Sequence, residues 1–142
     1  MKRLNLLLIC IMALLSLCLV SCSVKTEVEE SIWDNANYKE DTTLGNGKTT
    51  VYVEVEAEDK TVTFTLKTDK ETLGDALLEH KLVSGENGAY GLYIKKVNGI
   101  EADYSKTKAY WSFCKDGESM PHGVDNEKIS DGALYQLIYT KE

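Results

Sequence analysis

The sequence predicts an α+β domain built from a mixed sheet of short strands, with one helix packed across one face. Three observations lead to this prediction. Two consecutive stretches alternate apolar and polar residues, which is typical of half-buried strands. One amphipathic helix follows them, and a run of short strand-like segments separated by turn signals completes the chain. A sheet covered on one face by a single helix is the simplest arrangement of these elements.

The first two strands are predicted from their alternation. Residues 51–57 place valine or alanine at every second position, and residues 61–67 alternate threonine or lysine with Val62, Phe64 and Leu66. The short link at 58–60 between the two strands predicts an antiparallel hairpin.

The helix is predicted to begin after Thr72, whose hydroxyl suits an N-cap, although a start after Thr68 fits as well. Leu73 and Leu77 lie on the helical face that would meet the sheet, and His80 joins them at helical spacing. We interpret His80 as a residue on the edge of that face and not as a ligand. Gly85 is the predicted stop signal.

The second half of the chain is predicted to be β-rich. Asn98-Gly99, Asp116-Gly117 and Asp131-Gly132 are turn signals, because asparagine, aspartate and glycine tolerate the positive φ that tight turns require. The segments between them are predicted as strands at 89–97, 100–104, 109–115 and 133–140, a polar loop at 105–108 and an irregular segment at 118–130. Together with the helix, this order outlines a β-grasp domain.

The N-terminal segment has the features of an export signal. Residues 1–21 have a basic start, an apolar middle and a small-residue exit, which is typical of a secretory signal and which we favour over a transmembrane anchor. Residues 19–22 resemble the lipobox of bacterial lipoproteins, which implies diacylation of Cys22. Two acyl chains would hold the protein stably on the outer side of a membrane.

Residues 22–48 are predicted to be the lipidated Cys22 and a flexible tether, which leaves 49–142 as the domain. The exception in this polar stretch is a possible short arm of Ile32, Trp33 and Tyr38 that packs on the domain.

Charge and cysteine usage exclude several classes of function. Removal of residues 1–21 takes away two of the 16 basic residues and none of the 23 acidic ones, which leaves a net charge of −9. This charge opposes binding to nucleic acid or to anionic lipid surfaces. Cys114 would be the one unmodified cysteine of the mature chain, so no internal disulfide is expected, and we interpret it as a small buried apolar residue.

The sequence offers no recognisable catalytic or metal-binding constellation. Its two histidines, His80 and His122, have no carboxylate or cysteine at the usual metal-ligand spacing. Ser112 and Ser119 lack the context of an activated nucleophile. We therefore expect a protein that is not an enzyme, has no metal site and requires no cofactor.

Aromatic residues are concentrated in the second half of the chain. Strand alternation places Trp111 and Phe113 on one face, and Tyr110, Ser112 and Cys114 on the other. Two interpretations stay open. The aromatic side chains form an exposed binding platform, or the N-terminal arm covers the second face of the sheet.

Residues 49–142 resemble the C-terminal domain of the transcobalamin and intrinsic-factor proteins, and still more the bacterial lipoprotein domains of unknown function grouped with it. The order and spacing of several short segments carry this resemblance. These segments are Tyr90–Ile94, Val97–Gly99, Tyr110–Phe113, Lys115–Glu118, Gly123–Asp125, Ile129–Gly132, the closing aromatic strand at Tyr135–Tyr139 and the helix opening at Thr72–Leu77.

The resemblance implies a ligand-binding β-grasp domain for a small molecule, with cobalamin or another corrinoid as the expected ligand. By position, it assigns ligand contacts to Tyr90, Gly91, Leu92, Tyr93, Trp111, Ser112 and Phe113. This sequence has no counterpart of the helical domain that completes the site in the cobalamin carriers. It would form half a pocket, and it would bind its ligand weakly or share it with a membrane transporter or another lipoprotein domain of the envelope. The alternative function is a surface module that docks another protein through its aromatic face.

Overall fold

A computed structural model describes residues 29–142. The predicted signal segment and Cys22 lie outside these residues. In chain order, the described part forms a 3-10 helix (Ile32–Asn35), β1 (Thr42–Gly45), β2 (Thr49–Ala57), β3 (Lys60–Thr68), α1 (Leu73–Glu79), β4 (Val83–Gly88), β5 (Gly91–Val97), β6 (Ile100–Glu101), α2 (Tyr104–Thr107), β7 (Ala109–Lys115), β8 (Glu118–Ser119), a second 3-10 helix (Val124–Asn126) and β9 (Leu134–Lys141). None of the helices in residues 29–142 is both long and apolar enough to cross a membrane.

The strands form two sheets. The larger has six strands in the order β1-β3-β2-β9-β7-β8, and β4, β5 and β6 form a separate three-stranded sheet. The pairs β2–β9 and β1–β3 are parallel, whereas β2–β3 and β7–β9 are antiparallel. The predicted α+β fold with one main helix is confirmed. The division of the strands into two sheets was not predicted from the sequence.

The β2–β3 hairpin forms as the alternation predicted. Its apolar residues meet across the strands and are almost completely buried, while their polar neighbours are more exposed. Burial of such side chains contributes about 1.5–3 kcal/mol each. The facing pairs are Val51 with Leu66, Val53 with Phe64, and Val55 with Val62.

Helix α1 begins at the predicted cap and ends earlier than predicted. The Thr72 hydroxyl accepts a hydrogen bond from the Asp75 backbone N–H at 3.2 Å, and Leu73 and Leu77 are fully buried. The helix ends at Glu79, so the prediction of Gly85 as its stop is wrong. Gly85 lies in β4 at a register shift, where a side chain would collide with the Tyr93 carbonyl.

Ordered structure begins before Thr49, the predicted start of the domain. The Trp33 side chain is only 5% exposed, and its Nε1 donates a hydrogen bond of 2.8 Å to the Ala57 carbonyl. The Tyr38 ring meets the buried Phe64 ring edge-on at 5.6 Å, and β1 extends the sheet beside β3. Residues 31–48 are therefore part of the domain, and the prediction that the tether continues to residue 48 is wrong. The arm predicted as its exception packs on the core, because its aromatic rings complete the apolar cluster around Phe64.

Asn98 ties this arm to the small sheet. The predicted Asn98-Gly99 turn is present, with φ of +50° and +83° at these residues. The Asn98 side chain is fully buried, accepts a hydrogen bond from the Tyr38 N–H at 2.9 Å and donates one of 2.8 Å to the Tyr38 carbonyl. A turn residue thus also fixes the path of the N-terminal arm.

Candidate ligand-binding site

A cleft lies at the tip of the β4–β5 hairpin. A cavity of 580 Å³ separates the tip, at Ala89, Tyr90 and Gly91, from the segment 120–126. A second cavity of 390 Å³ is lined by residues 88–93 and by Gly123, and shares Ala89, Tyr90, Gly91 and Gly123 with the first. We refer to these two cavities together as the hairpin-tip cleft. Its size suits part of a small ligand, since ligand pockets enclose about 300–1,000 Å³.

A hydrogen bond from the Leu92 backbone to Asp125 joins the two walls of the cleft, and Gly91 leaves room for it. The Leu92 backbone N–H donates a hydrogen bond of 3.1 Å to Asp125 Oδ2. Gly91 has a φ of +99°, and a Cβ on this residue would stand 2.7 Å from Asp125 Oδ1. That Oδ1 is buried and has no hydrogen-bond partner within residues 29–142. The close approach of the walls therefore requires glycine at position 91.

The structure brings four of the seven predicted contact residues to this cleft. Tyr90 is 94% exposed at the hairpin tip, and Tyr93 is 47% exposed. Gly91 and Leu92 line the cleft between them, and Leu92 also packs against the core. Residues 90–93 thus present two tyrosine rings on a hairpin whose base is held by the core.

The other three predicted contacts, in β7, are not among the residues that line either cavity. Trp111 is only 8% exposed and meets the Tyr139 ring edge-on at 5.4 Å. Ser112 exchanges a hydrogen bond of 2.8 Å with Thr140, and Phe113 packs at 6.1 Å from the Tyr135 ring.

The interpretation of Trp111 as an exposed platform is therefore wrong. Strand β7 turns its side chain into the core, where the ring joins the main apolar cluster. The alternative function, docking of another protein through the aromatic face, cannot use the Trp111 ring for the same reason. Cys114 is a free and buried cysteine, as the sequence predicted.

An ion cluster around a buried carboxylate lies beside the cleft and was missed by sequence reasoning. Its centre is Glu127, which is only 6% exposed. Glu127 Oε1 accepts a hydrogen bond from Lys115 Nζ at 2.7 Å and one from the Tyr135 hydroxyl at 3.4 Å. Glu127 Oε2 lies 2.9 Å from His122 Nε2. His122 lines the cleft, so the cluster reaches the cavity wall.

The cluster keeps Glu127 ionised. Burial opposes this ionisation, but the hydrogen bonds from Lys115 and His122 outweigh it and lower the pKa of the Glu127 carboxyl. The same hydrogen bond to Glu127 raises the pKa of Lys115, and burial raises the pKa of the Tyr135 hydroxyl. The buried carboxylate is thus paired with one lysine and hydrogen-bonded to one imidazole.

The backbone around Glu127 is tied to the start of helix α1. The Glu127 carbonyl accepts a hydrogen bond of 2.8 Å from the Leu73 N–H, and the Ile129 N–H donates one of 3.1 Å to the Glu71 carbonyl. A Cβ on the buried Gly74 would stand 2.8 Å from the Asp125 Cα, so this wall of the cleft lies directly on the helix. The helix thereby fixes the position of both Asp125 and Glu127.

No group of three or more histidine, cysteine, aspartate or glutamate side chains in the described part of the chain could hold a metal ion. His80, the other histidine, has a side chain that is 14% exposed, with Nε2 at 3.7 Å from Glu79 Oε2. Neither histidine therefore belongs to a multidentate metal site within these residues.

Comparison with known proteins assigns the chain to a family. A family model described as a domain of unknown function, DUF4430, matches residues 70–134. This chain is similar to a candidate metal-binding protein from Ruminococcus gnavus ATCC 29149, whose crystal structure is known. The two sequences are 32% identical, and the structures align with a TM-score of 0.63 over 67% of this chain and 99% of that one. The chain belongs to the DUF4430 family. The DUF4430 match includes both walls of the hairpin-tip cleft and, from the Glu127 cluster, Lys115, His122 and Glu127, whereas Tyr135 lies just beyond it. No curated protein matches the sequence.

A second similar structure supports the predicted resemblance. Haptocorrin in complex with Cbi is 17% identical to this DUF4430 chain, with a TM-score of 0.50. The match covers 69% of this chain and 26% of haptocorrin, so it concerns about a quarter of that protein. At this identity the likeness shows a common fold. The fold that the predicted resemblance implies is thereby confirmed.

Proposed function

We propose that this domain is a non-enzymatic binding module that takes a corrinoid, such as cobalamin or cobinamide, in the hairpin-tip cleft. One observation carries the proposal. Residues 90–93, to which the family resemblance assigns ligand contacts, line an open cleft in which the Tyr90 side chain is 94% exposed. The complex of haptocorrin with Cbi supports the choice of ligand.

The chemistry of the cleft suits such a ligand. A corrin is a broad, partly apolar disc that carries amide side chains. The rings of Tyr90 and Tyr93 offer apolar area at a low cost in side-chain entropy. The cleft is open to solvent, so it would cover one part of the disc and leave the rest to a second protein. A transporter that receives the ligand is the partner we propose.

The location we propose is the outer side of a bacterial membrane, with acyl chains on Cys22 as the anchor. Its support is the signal-like pattern of residues 1–22. We expect cells that express the protein to incorporate radiolabelled palmitate into it, and the Cys22→Ala variant to lose both the label and membrane retention. Equal labelling of the two proteins would refute the anchor and leave the ligand proposal intact.

Replacement of Tyr90 tests the ligand site. We expect cobinamide to bind residues 23–142 in isothermal titration calorimetry, and Tyr90→Ala to weaken binding by about tenfold, or about 1.4 kcal/mol. Because Tyr90 is 94% exposed, its removal should change the free energy of unfolding by less than about 0.5 kcal/mol.

Tyr52→Ala is the matched control for this experiment. Tyr52 is a 40% exposed tyrosine of β2 that lines neither cavity of the cleft, so its removal should leave cobinamide affinity unchanged. The proposed function fails if wild-type protein gives no binding heat at millimolar cobinamide, or if Tyr90→Ala and Tyr52→Ala bind equally well.

A further inference from the structure

His122 is a cavity-wall residue that the proposed function does not yet use. Its side chain is 36% exposed and lines the hairpin-tip cleft opposite Tyr90 and Gly91. Its Nε2 is 2.9 Å from Glu127 Oε2, and Glu127 is itself almost completely buried. One edge of the imidazole is therefore fixed from behind, while the ring borders open space.

The partner of Nε2 determines which nitrogen is free. Glu127 is ionised and already accepts a hydrogen bond from Lys115 on its other oxygen, so Oε2 acts as an acceptor toward His122. The neutral imidazole then carries its proton on Nε2 and its lone pair on Nδ1. Within residues 29–142, Nδ1 has no hydrogen bond to the protein. A carboxylate behind one nitrogen is the usual support for a histidine whose other nitrogen binds a metal.

A bare metal ion does not suit this position. The described residues include no group of three or more ligating side chains, and one imidazole alone would hold a free ion weakly. A metal that is already bound inside a macrocycle needs far fewer ligands from the protein. Its equatorial positions are already filled, and a single axial donor completes its coordination.

We propose that His122 Nδ1 is the axial ligand to the metal of a macrocyclic ligand, a corrinoid with an exchangeable axial position, bound in the hairpin-tip cleft. This inference rests on the proposed function and adds to it the atom that recognises the ligand. The Nδ1 lone pair forms a bond to the metal, and the water bound there leaves with its electron pair. No electron is transferred and no proton moves, so the metal keeps its oxidation state.

The visible absorption spectrum of the corrinoid tests the inference. We expect aquocobinamide to shift its absorption bands when it binds wild-type protein, because nitrogen replaces oxygen at the axial position. His122→Ala should abolish that shift and weaken the affinity by more than the roughly 10- to 100-fold that loss of an outer-shell partner typically costs. Glu127→Gln keeps the shape of its side chain and removes the charge that fixes the imidazole, so it should give an intermediate loss.

Dicyanocobinamide in excess cyanide is the matched control ligand, because cyanide fills both axial positions. Its affinity, measured by equilibrium dialysis, should fall much less in His122→Ala than the affinity for aquocobinamide does. Urea unfolding of His122→Ala and of His122→Gln measures whether each variant is folded, so that the spectral test uses a folded one.

The possible results separate the two proposals. If wild-type protein binds aquocobinamide without a spectral shift, or if the shift persists in the folded His122 variants, the axial ligand is refuted and the proposed function stands. If wild-type protein binds neither form of cobinamide, the proposed function fails and the axial ligand fails with it.

Discussion

Replacement of Trp33 by alanine is expected to lower the free energy of unfolding by about 3–5 kcal/mol. The indole is 5% exposed, donates to the Ala57 carbonyl and lies under Lys60, whose Nζ is 4.9 Å from the ring centre. Its loss leaves a cavity in the core and a buried carbonyl without its donor. Urea unfolding of residues 29–142, followed by circular dichroism, measures the change.

The neighbouring Asp34→Ala is the control for the Trp33 experiment. Asp34 is exposed and forms only a surface ion pair of 3.8 Å with Lys39, so its removal should cost less than about 1 kcal/mol. Equal unfolding midpoints for Trp33→Ala and the wild type would show that the arm does not pack on the domain in solution.

Replacement of Gly91 by alanine is the second substitution expected to have a large effect. The φ of +99° at this residue costs about 1–3 kcal/mol with a side chain present. The added methyl group also meets the Asp125 carboxylate and would break its bond to the Leu92 N–H, which costs about 1–3 kcal/mol more. We expect both a lower stability in urea and a loss of cobinamide binding of about tenfold or more.

Gly117→Ala separates the backbone cost of a positive φ from the cost of the collision with Asp125. Gly117 has a φ of +82°, but a Cβ there would meet nothing within 4 Å. Its replacement carries only the backbone cost and should leave ligand binding unchanged. A double variant, Gly91→Ala with Asp125→Ala, should recover part of the extra loss, because the colliding group is gone. Equal costs for Gly91→Ala and Gly117→Ala would mean that the Asp125 contact does not form.

Much of the fold was predictable because its signals are local. The alternation in residues 51–57 and 61–67 reports directly on which side chains face the core, and it predicted the β2–β3 hairpin. The turns at Asn98-Gly99 and Asp116-Gly117 adopt the positive φ values that their residue types favour. The N-cap at Thr72 depends on a contact three residues away and was equally visible.

The elements that were missed depend on contacts between distant residues. Residues 84–88 of β4 are exposed and show no alternation, so only pairing with β5 makes them a strand. The burial of Trp33 depends on Ala57, which is 24 residues away. The same dependence on distant contacts explains which residues of the site were missed. Residues 90–93 were found through the family resemblance, whereas the pairing of His122 with Glu127 depends on the turn around Val124.

The central position of β9 has a consequence for when the domain can fold. In the larger sheet, β9 separates β2 from β7, and it pairs Glu54 with Gln136 across 82 residues of sequence. Until β9 has been synthesised, β1, β2 and β3 cannot join β7 and β8. Folding that waits for such a distant pairing is slow. For a chain proposed to be exported, this delay favours passage through the membrane in an unfolded state and assembly of the sheet on the far side.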